Sequence, residues 1–169
     1  MLLEFCSMTE NEMYRMVHEI YREGNVENAR WRNPELEDLT EAIKAEEDSF
    51  VVFLKTFLEK EENRYYVLEL DGEWVSALRL TKIRDFYYLE ALETAEAHRK
   101  KGYAAQLVGE VVQLLKTRGK VIIRDNVSKR NLPSLATHKK CGFEIEEENG
   151  TDHLSGEQSD RVYGMILEV

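Results

Sequence analysis

The stretch Tyr87–Arg118 reads YYLEALETAEAHRKKGYAAQLVGEVVQLLKTR, and its apolar pattern changes period half-way along. Through Thr94 it predicts a strand, because Tyr, Leu and Thr dominate and neither Gly nor Pro interrupts them. From Ala104 onward apolar residues recur at spacings of three and four, which predicts a helix that ends before Gly119. Arg99-Lys100-Lys101-Gly102 lies between the two. Backbone N–H groups, a helix N-terminus and three cations therefore meet at one point, which favours binding of an anion and most naturally a pyrophosphate.

The flanking residues predict a sheet around this stretch. Asp71-Gly72 is a strong hairpin signal between strands Tyr65–Leu70 and Trp74–Thr81, and Phe86–Thr94 adds a third antiparallel strand. The apolar Val121–Ile123 after the helix completes a parallel, right-handed βαβ unit. The other expected elements are a strand at Leu2–Cys6, a helix from Thr9 to about Arg22, a loop over Gly24–Pro34, a helix from Glu35 to about Glu47, a third helix or its continuation over Phe50–Leu58, a helix over Asn131–Lys140, a strand from Phe143, a polar loop over Asn149–Asp160 and a strand over Val162–Val169.

These elements predict an α/β (α+β) fold with a mixed, mostly antiparallel central sheet of about seven strands, flanked by four or five helices. No Pro/Gly-rich linker divides residues 1–169, so a single domain is expected. The net charge of −10 argues against nucleic acid as a partner. No apolar run is long enough for a membrane span, so no membrane partner is expected. The two cysteines predict no disulfide framework, which is typical of a cytoplasmic protein.

Two motifs about thirty residues apart narrow the interpretation. The first, Arg99-Lys100-Lys101-Gly102-Tyr103-Ala104, matches the pattern Arg/Gln-x-x-Gly-x-Gly/Ala. The second consists of Asn131, Ser134 three residues later, and the pair Gly142-Phe143. Together they resemble the GNAT superfamily of acyl-CoA-dependent N-acyltransferases, and the order of elements agrees over essentially the whole chain. The resemblance implies acetyl-CoA as the acyl donor. It also implies a homodimer, the common assembly of the family.

The resemblance further assigns cofactor contacts residue by residue. The backbone of Leu92, Glu93 and Thr94 would pair with the pantetheine arm as an added strand does. The amides of Lys100, Lys101, Gly102, Tyr103, Ala104 and Ala105 would hold the pyrophosphate, and Arg99 would add positive field. Asn131 and Ser134 would contact the pantetheine or phosphate side. Without the resemblance, the basic cluster is interpreted as a solvated surface.

Three residues are catalytic candidates. The family's usual proton-donating Tyr is His138 here, and an imidazolium can protonate a CoA thiolate, but a packed structural histidine also fits this position. The expected base is Glu90; a bulge in the strand would bring Glu93 to the same face instead. Either glutamate also fits a structural ion pair with Arg or Lys. His138 and Cys141 have no matched second pair, so no metal site is predicted.

The predicted function is transfer of an acetyl group from acetyl-CoA to a primary amine of a small molecule or peptide by direct attack. The alternative is a non-catalytic acyl-CoA-binding module of the same fold, which serves as a sensor or partner protein. Loss of the usual Tyr keeps this alternative open. A plain nucleotide-binding domain has no support beyond the anion-binding turn.

Overall fold

The computed structural model describes all residues 1–169 and contains five α-helices and nine strands. The elements are β1 Leu2–Phe5, α1 Glu10–Glu19, α2 Arg22–Arg32, α3 Thr40–Leu58, β2 Asn63–Leu70, β3 Glu73–Ile83, β4 Phe86–Thr94, α4 Tyr103–Lys116, β5 Ile122–Ser128, α5 Leu132–Lys140, β6 Glu144–Glu147, β7 Gly150–Thr151, β8 Gln158–Ser159 and β9 Val162–Glu168. None of the helices is both long and apolar enough to cross a bilayer.

Seven strands form one sheet in the order β1-β2-β3-β4-β5-β9-β6, in which only β4 and β5 are parallel. The predicted mixed, mostly antiparallel sheet flanked by helices is therefore confirmed. Helix α4 packs on one face over β2 and β3, and α1 and α3 pack on the other. Each face has its own apolar core, because side chains alternate along β3: Leu78 belongs to the α4 core and Ala77 to the α1–α3 core.

Two predictions about the N-terminal half were wrong. Residues Gly24–Pro34 do not form a loop, since Arg22–Arg32 is helix α2 and the first helix ends at Glu19. Asn25 and Ala29 are buried one helical turn apart, so α2 has a narrow buried side that its charged residues conceal in the sequence. The helix expected over Glu35–Glu47 starts only at Thr40 and continues to Leu58 as one helix, because no Gly or Pro interrupts it.

The polar loop over Asn149–Asp160 also contains more structure than predicted. Its ends form the two-stranded hairpin β7–β8, in which Gly150 pairs with Ser159 and Thr151 with Gln158. The Asn126 side chain donates a 2.8 Å hydrogen bond to the Thr151 carbonyl and so attaches this hairpin to β5.

A bulge in β4 determines how the sheet opens. Ala77 pairs with Glu93 but Arg79 pairs with Glu90, so Leu78 stands opposite two residues of β4. Ala91 has a φ of 52°, in the left-handed region that costs a residue with a Cβ about 1 kcal/mol. The Tyr21 hydroxyl donates a 2.7 Å hydrogen bond to the Ala91 carbonyl and holds the bulge from the α1–α2 side. A bulge bends its strand, and the pairing of β4 with β5 ends at Leu89, just before this bulge.

We expect Ala91→Gly to raise the free energy of unfolding by up to about 1 kcal/mol, because glycine adopts a positive φ at no steric cost. Ala91→Val should lower it by about 2 kcal/mol, since a β-branched residue is least tolerant of this conformation. The Ala91 side chain is exposed, so packing does not confound the comparison. Urea unfolding of the three proteins measures both effects, and equal midpoints would contradict the conformation described for this bulge.

Candidate active site

Strands β4 and β5 pair over only three residues and then separate. The pairs are Tyr87–Ile123, Tyr88–Arg124 and Leu89–Asp125, whereas β4 continues to Thr94 and β5 to Ser128. We call the opening between Glu90–Thr94 and Asn126–Ser128 the wedge. On its β3 side β4 stays paired as far as Thr94, so the edge of β4 that faces the wedge is free to pair with a ligand.

The basic turn lies where β4 leads into α4. Lys100 has a φ of 62° and Gly102 a φ of 85°, and this succession turns the chain sharply into the helix that begins at Tyr103. Gly102 is the N-cap but has no side chain to accept from the first-turn amides, so the N–H groups of Tyr103, Ala104 and Ala105 point out of the helix end without a helical acceptor. Amides and helix dipole together favour an anion here. Lys101 Nζ donates to the Ala97 carbonyl at 3.1 Å, which steadies the turn.

The Arg99 side chain has three partners within the protein. Its guanidinium donates to the Thr94 carbonyl at 3.1 Å, to Glu93 at 3.1 Å and to Glu23 of α2. These contacts join α2 to the end of β4, so Arg99 shapes the entrance to the turn. Lys100 and Lys101 form no ion pair and keep their charge available beside the turn.

Asn131 and Ser134 lie on the opposite side of the wedge, at the start of α5. The Asn131 side chain accepts a 3.1 Å hydrogen bond from the Ser134 amide and caps the helix, and Pro133 occupies its first turn. Ser134 Oγ is 3.4 Å from His138 Nδ1, one turn further along. Both candidates therefore belong to the connection that follows β5.

His138 is buried, with 2% of its surface exposed, and both of its ring nitrogens have protein partners. Nε2 lies 2.6 Å from Asp125 Oδ2, and Nδ1 donates to the Ser134 carbonyl at 2.8 Å. Burial alone would lower the pKa of His138, but the hydrogen bond and the charge of Asp125 outweigh it and raise that pKa. Asp125 is the last β5 residue paired with β4, so the pair joins α5 to the sheet at the apex of the wedge.

Glu90 and Glu93 lie on the same face of β4, because the bulge at Ala91 shifts the alternation by one residue. Each has an arginine partner. Arg79 donates to Glu90 through two nitrogens, at 3.1 and 3.3 Å, and Glu93 is bound by Arg99. About a quarter of the Glu90 side chain is exposed, against 38% for Glu93. The ion-pair interpretation of these glutamates therefore describes their contacts.

Tyr88 provides the phenol nearest to the apex of the wedge. Its hydroxyl accepts a 3.1 Å hydrogen bond from Asn126. The His153 ring lies edge-on to the Tyr88 ring, with 5.2 Å between the ring centroids. Burial raises the pKa of Tyr88, and the nearby charges of Asp152 and Glu90 raise it further. The hydroxyl therefore stays protonated and faces negative potential. Sequence reasoning missed Asn126, Asp125 and Arg79, whose roles depend on pairing register.

A sequence model of the acetyltransferase (GNAT) family matches residues 16–143. The chain belongs to this family. The match runs from within α1 to the residue before β6 and includes both walls of the wedge and the basic turn, so the predicted GNAT-type acyltransferase is confirmed. No curated protein sequence matches the chain.

Solved GNAT structures share the fold at low sequence identity. PaiA N-acetyltransferase from Thermoplasma acidophilum in complex with coenzyme A is 15% identical, with a TM-score of 0.69 over 100% of this chain and 99% of that one. The Campylobacter jejuni N-acetyltransferase PseH in complex with acetyl coenzyme A is 15% identical, with a TM-score of 0.64 over 99% and 97%. The ribosomal-protein-S18-alanine N-acetyltransferase from Escherichia coli is 14% identical, with a TM-score of 0.59 over 100% and 94%. The ligands of the first two agree with the predicted acyl donor.

Proposed function

We propose that this GNAT protein transfers the acetyl group of acetyl-CoA to a primary amine of a small molecule or peptide by direct attack. The observation that carries the proposal is the wedge, with a free strand edge at Leu92–Thr94 and a turn of free amides at its mouth. The pantetheine arm would pair with that edge, and the diphosphate would bind the amides of Lys100–Ala105. Asn131 and Ser134 would contact the cofactor from the α5 side.

The surroundings of Tyr88 suit a cationic acceptor. Glu90 and Asp152 act on its hydroxyl electrostatically, and their charges attract an ammonium group. Release of the ammonium proton at pH 7 costs about 4.6 kcal/mol for an amine of pKa about 10.4. A carboxylate that accepts this proton directly or through water gives it a route to solvent, and Glu90 is the nearer candidate to the apex. Glu93, on the same face, is the second candidate.

Return of a proton to the CoA thiolate makes a smaller demand. The thiolate of a thiol with a pKa of about 8.5 takes a proton readily from water near neutral pH. The contacts of His138 support an indirect role in which it holds Asp125 and the apex of the wedge, rather than direct donation to sulfur. The same contacts support the alternative function, an acyl-CoA-binding module that has lost its proton donor.

One assay separates these functions. Acetyl-CoA is incubated with the protein and with diamines, polyamines, aminoglycosides, amino acids and peptides, and release of free thiol is followed. Turnover with any amine supports the enzyme. Protection against thermal unfolding by CoA with no turnover supports the binding module, and absence of both contradicts the proposal. Sedimentation velocity tests the homodimer, which stays a prediction.

Glu90→Gln should lower kcat/KM for the amine by about 100-fold, because it removes the proton acceptor while the side chain keeps its shape. Glu93→Gln should change kcat less than threefold and instead raise KM for acetyl-CoA, since Glu93 orients Arg99 at the turn. Thermal unfolding of both variants checks for loss of structure, because Glu90→Gln also weakens the ion pair with Arg79. The opposite ranking of the two variants would assign the base to Glu93.

A further inference from the structure

A second group of cations lies at the mouth of the wedge, apart from the basic turn. Ser128, Lys129, Arg130, Asp160 and Arg161 line a cavity of about 690 Å³ that contains no hydrophobic side chain. We call it the cation notch. Three cations line it against Asp160 and the Glu148 carboxylate bound to Lys129, so it is locally positive in a chain whose net charge is −10. Such an environment favours an anionic ligand.

The backbone holds the notch together while two of its cations stay unpaired. The Lys129 amide donates to the Arg161 carbonyl at 3.0 Å, which joins the end of β5 to the start of β9. Lys129 Nζ is partly occupied by Glu148 at 3.1 Å and Asn149 at 3.3 Å. Neither Arg130 nor Arg161 takes part in an ion pair with any carboxylate of the chain. Both guanidinium groups are therefore available to a ligand.

The position of the notch relates it to the acceptor. It begins at Ser128, three residues past Asp125 on the β5 wall, which is about 10 Å at the rise of a strand. The basic turn lies at the end of the opposite wall, and none of its residues lines the notch. The hairpin β7–β8 joins the two regions, because Thr151 is bound to Asn126 beside Tyr88 and β8 leads directly into Asp160 and Arg161.

We propose that the cation notch, about 10 Å along β5 from Asp125 at the apex of the wedge, binds an anionic group of the acceptor, a carboxylate or a phosphate. The acceptor is then zwitterionic, with its amine near Tyr88 and Glu90 and its anion between Arg130 and Arg161. This assignment rests on the proposed function for the position of the amine, whereas anion binding by the notch does not. The 3′-phosphate of CoA is an anion of the same kind, and the experiment distinguishes it from an anionic group of the acceptor.

Inorganic phosphate is titrated into ¹⁵N-labelled protein that is saturated with CoA or with dephospho-CoA, so the basic turn is already filled. We expect saturable shifts of the Arg130 and Arg161 amides in both complexes. Arg161→Gln should weaken binding by about tenfold, since it removes a charge-assisted contact. Asp160→Asn should tighten it several-fold, and Lys120→Gln, which removes an exposed charge outside the notch, should leave it unchanged.

Equal phosphate affinity in all variants, or no shift at these amides, overturns the notch as an anion site. Binding in the dephospho-CoA complex but not in the CoA complex overturns the acceptor assignment, because the 3′-phosphate then occupies the notch. Neither readout needs turnover, so failure of the proposed function is recognised separately by absence of thiol release.

A matched pair of peptides tests the acceptor directly. Tri-alanine spans about 10 Å between its amine and its carboxylate when extended, and its C-terminal amide differs only in that charge. Calorimetry with the CoA-saturated protein should show tri-alanine binding at least fivefold more tightly than the amide. Arg161→Gln should remove the preference. Equal binding of the two peptides, or binding of neither, overturns the zwitterionic acceptor.

Discussion

Gly102→Asp should weaken CoA binding at least 100-fold. Gly102 has a φ of 85° at the N-cap of α4, so any side chain costs about 1 kcal/mol of backbone strain in this turn. The larger effect is electrostatic, because the new carboxylate would lie beside the amides that we propose bind the diphosphate. Repulsion at about 4–6 Å near a protein surface contributes a further 2 kcal/mol or more, and about 3 kcal/mol in total corresponds to 100-fold.

Gly102→Asn is the matched control, since it has the shape of aspartate without the charge and tolerates the left-handed region better than most residues. It should weaken CoA binding by less than tenfold. No atom lies within 4 Å of a Cβ added at Gly102, so neither variant is expected to clash. Calorimetric titration with CoA measures both affinities. Equal losses for Asp and Asn would mean that backbone conformation, and not charge at the diphosphate, controls this turn.

Local signals account for the part of the fold that sequence predicts well. Asp71 and Gly72 have φ values of 51° and 84°, the paired positive values that a tight hairpin needs, and few other dipeptides adopt them at low cost. Gly102 lies at the start of α4 and Gly142 after the end of α5, and both have the positive φ that glycine adopts at low cost. The parallel pairing of β4 with β5 follows from chain connectivity through α4. These features depend on residues close together in the sequence.

The unpredicted features depend on pairs of distant residues. Helix α2 packs against α3 and buries Ala29, although its composition indicates a loop. Arg79 meets Glu90 because the register set at the β3–β4 turn runs unbroken from Ile83–Phe86 to Arg79–Glu90, and the bulge at Ala91 shifts only the pairs beyond it. The sequence provides the candidates at the wedge, whereas their ion pairs and hydrogen bonds come from the tertiary arrangement.

The cation notch and the acidic surroundings of Tyr88 have different consequences for specificity. The acidic surroundings attract an amine. An acceptor that has an amine but no anionic group interacts only with this part of the site. An anion in the notch fixes the second end of the acceptor and so limits where its amine can lie. The wedge would then hold the cofactor, and the residues after β5 and before β9 would select the acceptor.

His138→Ala should lower the free energy of unfolding by about 3–5 kcal/mol. Asp125 and His138 are both buried and hydrogen-bonded to each other at 2.6 Å, and loss of one partner leaves a buried carboxyl without compensation. Asp125→Asn should cost only about 1 kcal/mol, because its amide can donate to Nε2 of a neutral imidazole while Nδ1 still donates to Ser134. The double variant should be more stable than His138→Ala alone. Urea unfolding of the four proteins measures the coupling.

The pH dependence of stability separates the ion pair from simple packing. The folded-state pKa of His138 is raised above its unfolded value of about 6.5, so the pair contributes its full stability below that pH and loses it as the pH rises through the folded pKa. The wild-type protein should therefore lose stability from pH 6 to pH 8 more steeply than Asp125→Asn, which has no charge to pair with the imidazolium. If His138 instead donates a proton directly in catalysis, His138→Ala should lower kcat by 100-fold or more with little change in unfolding free energy, and the positioning role would be wrong.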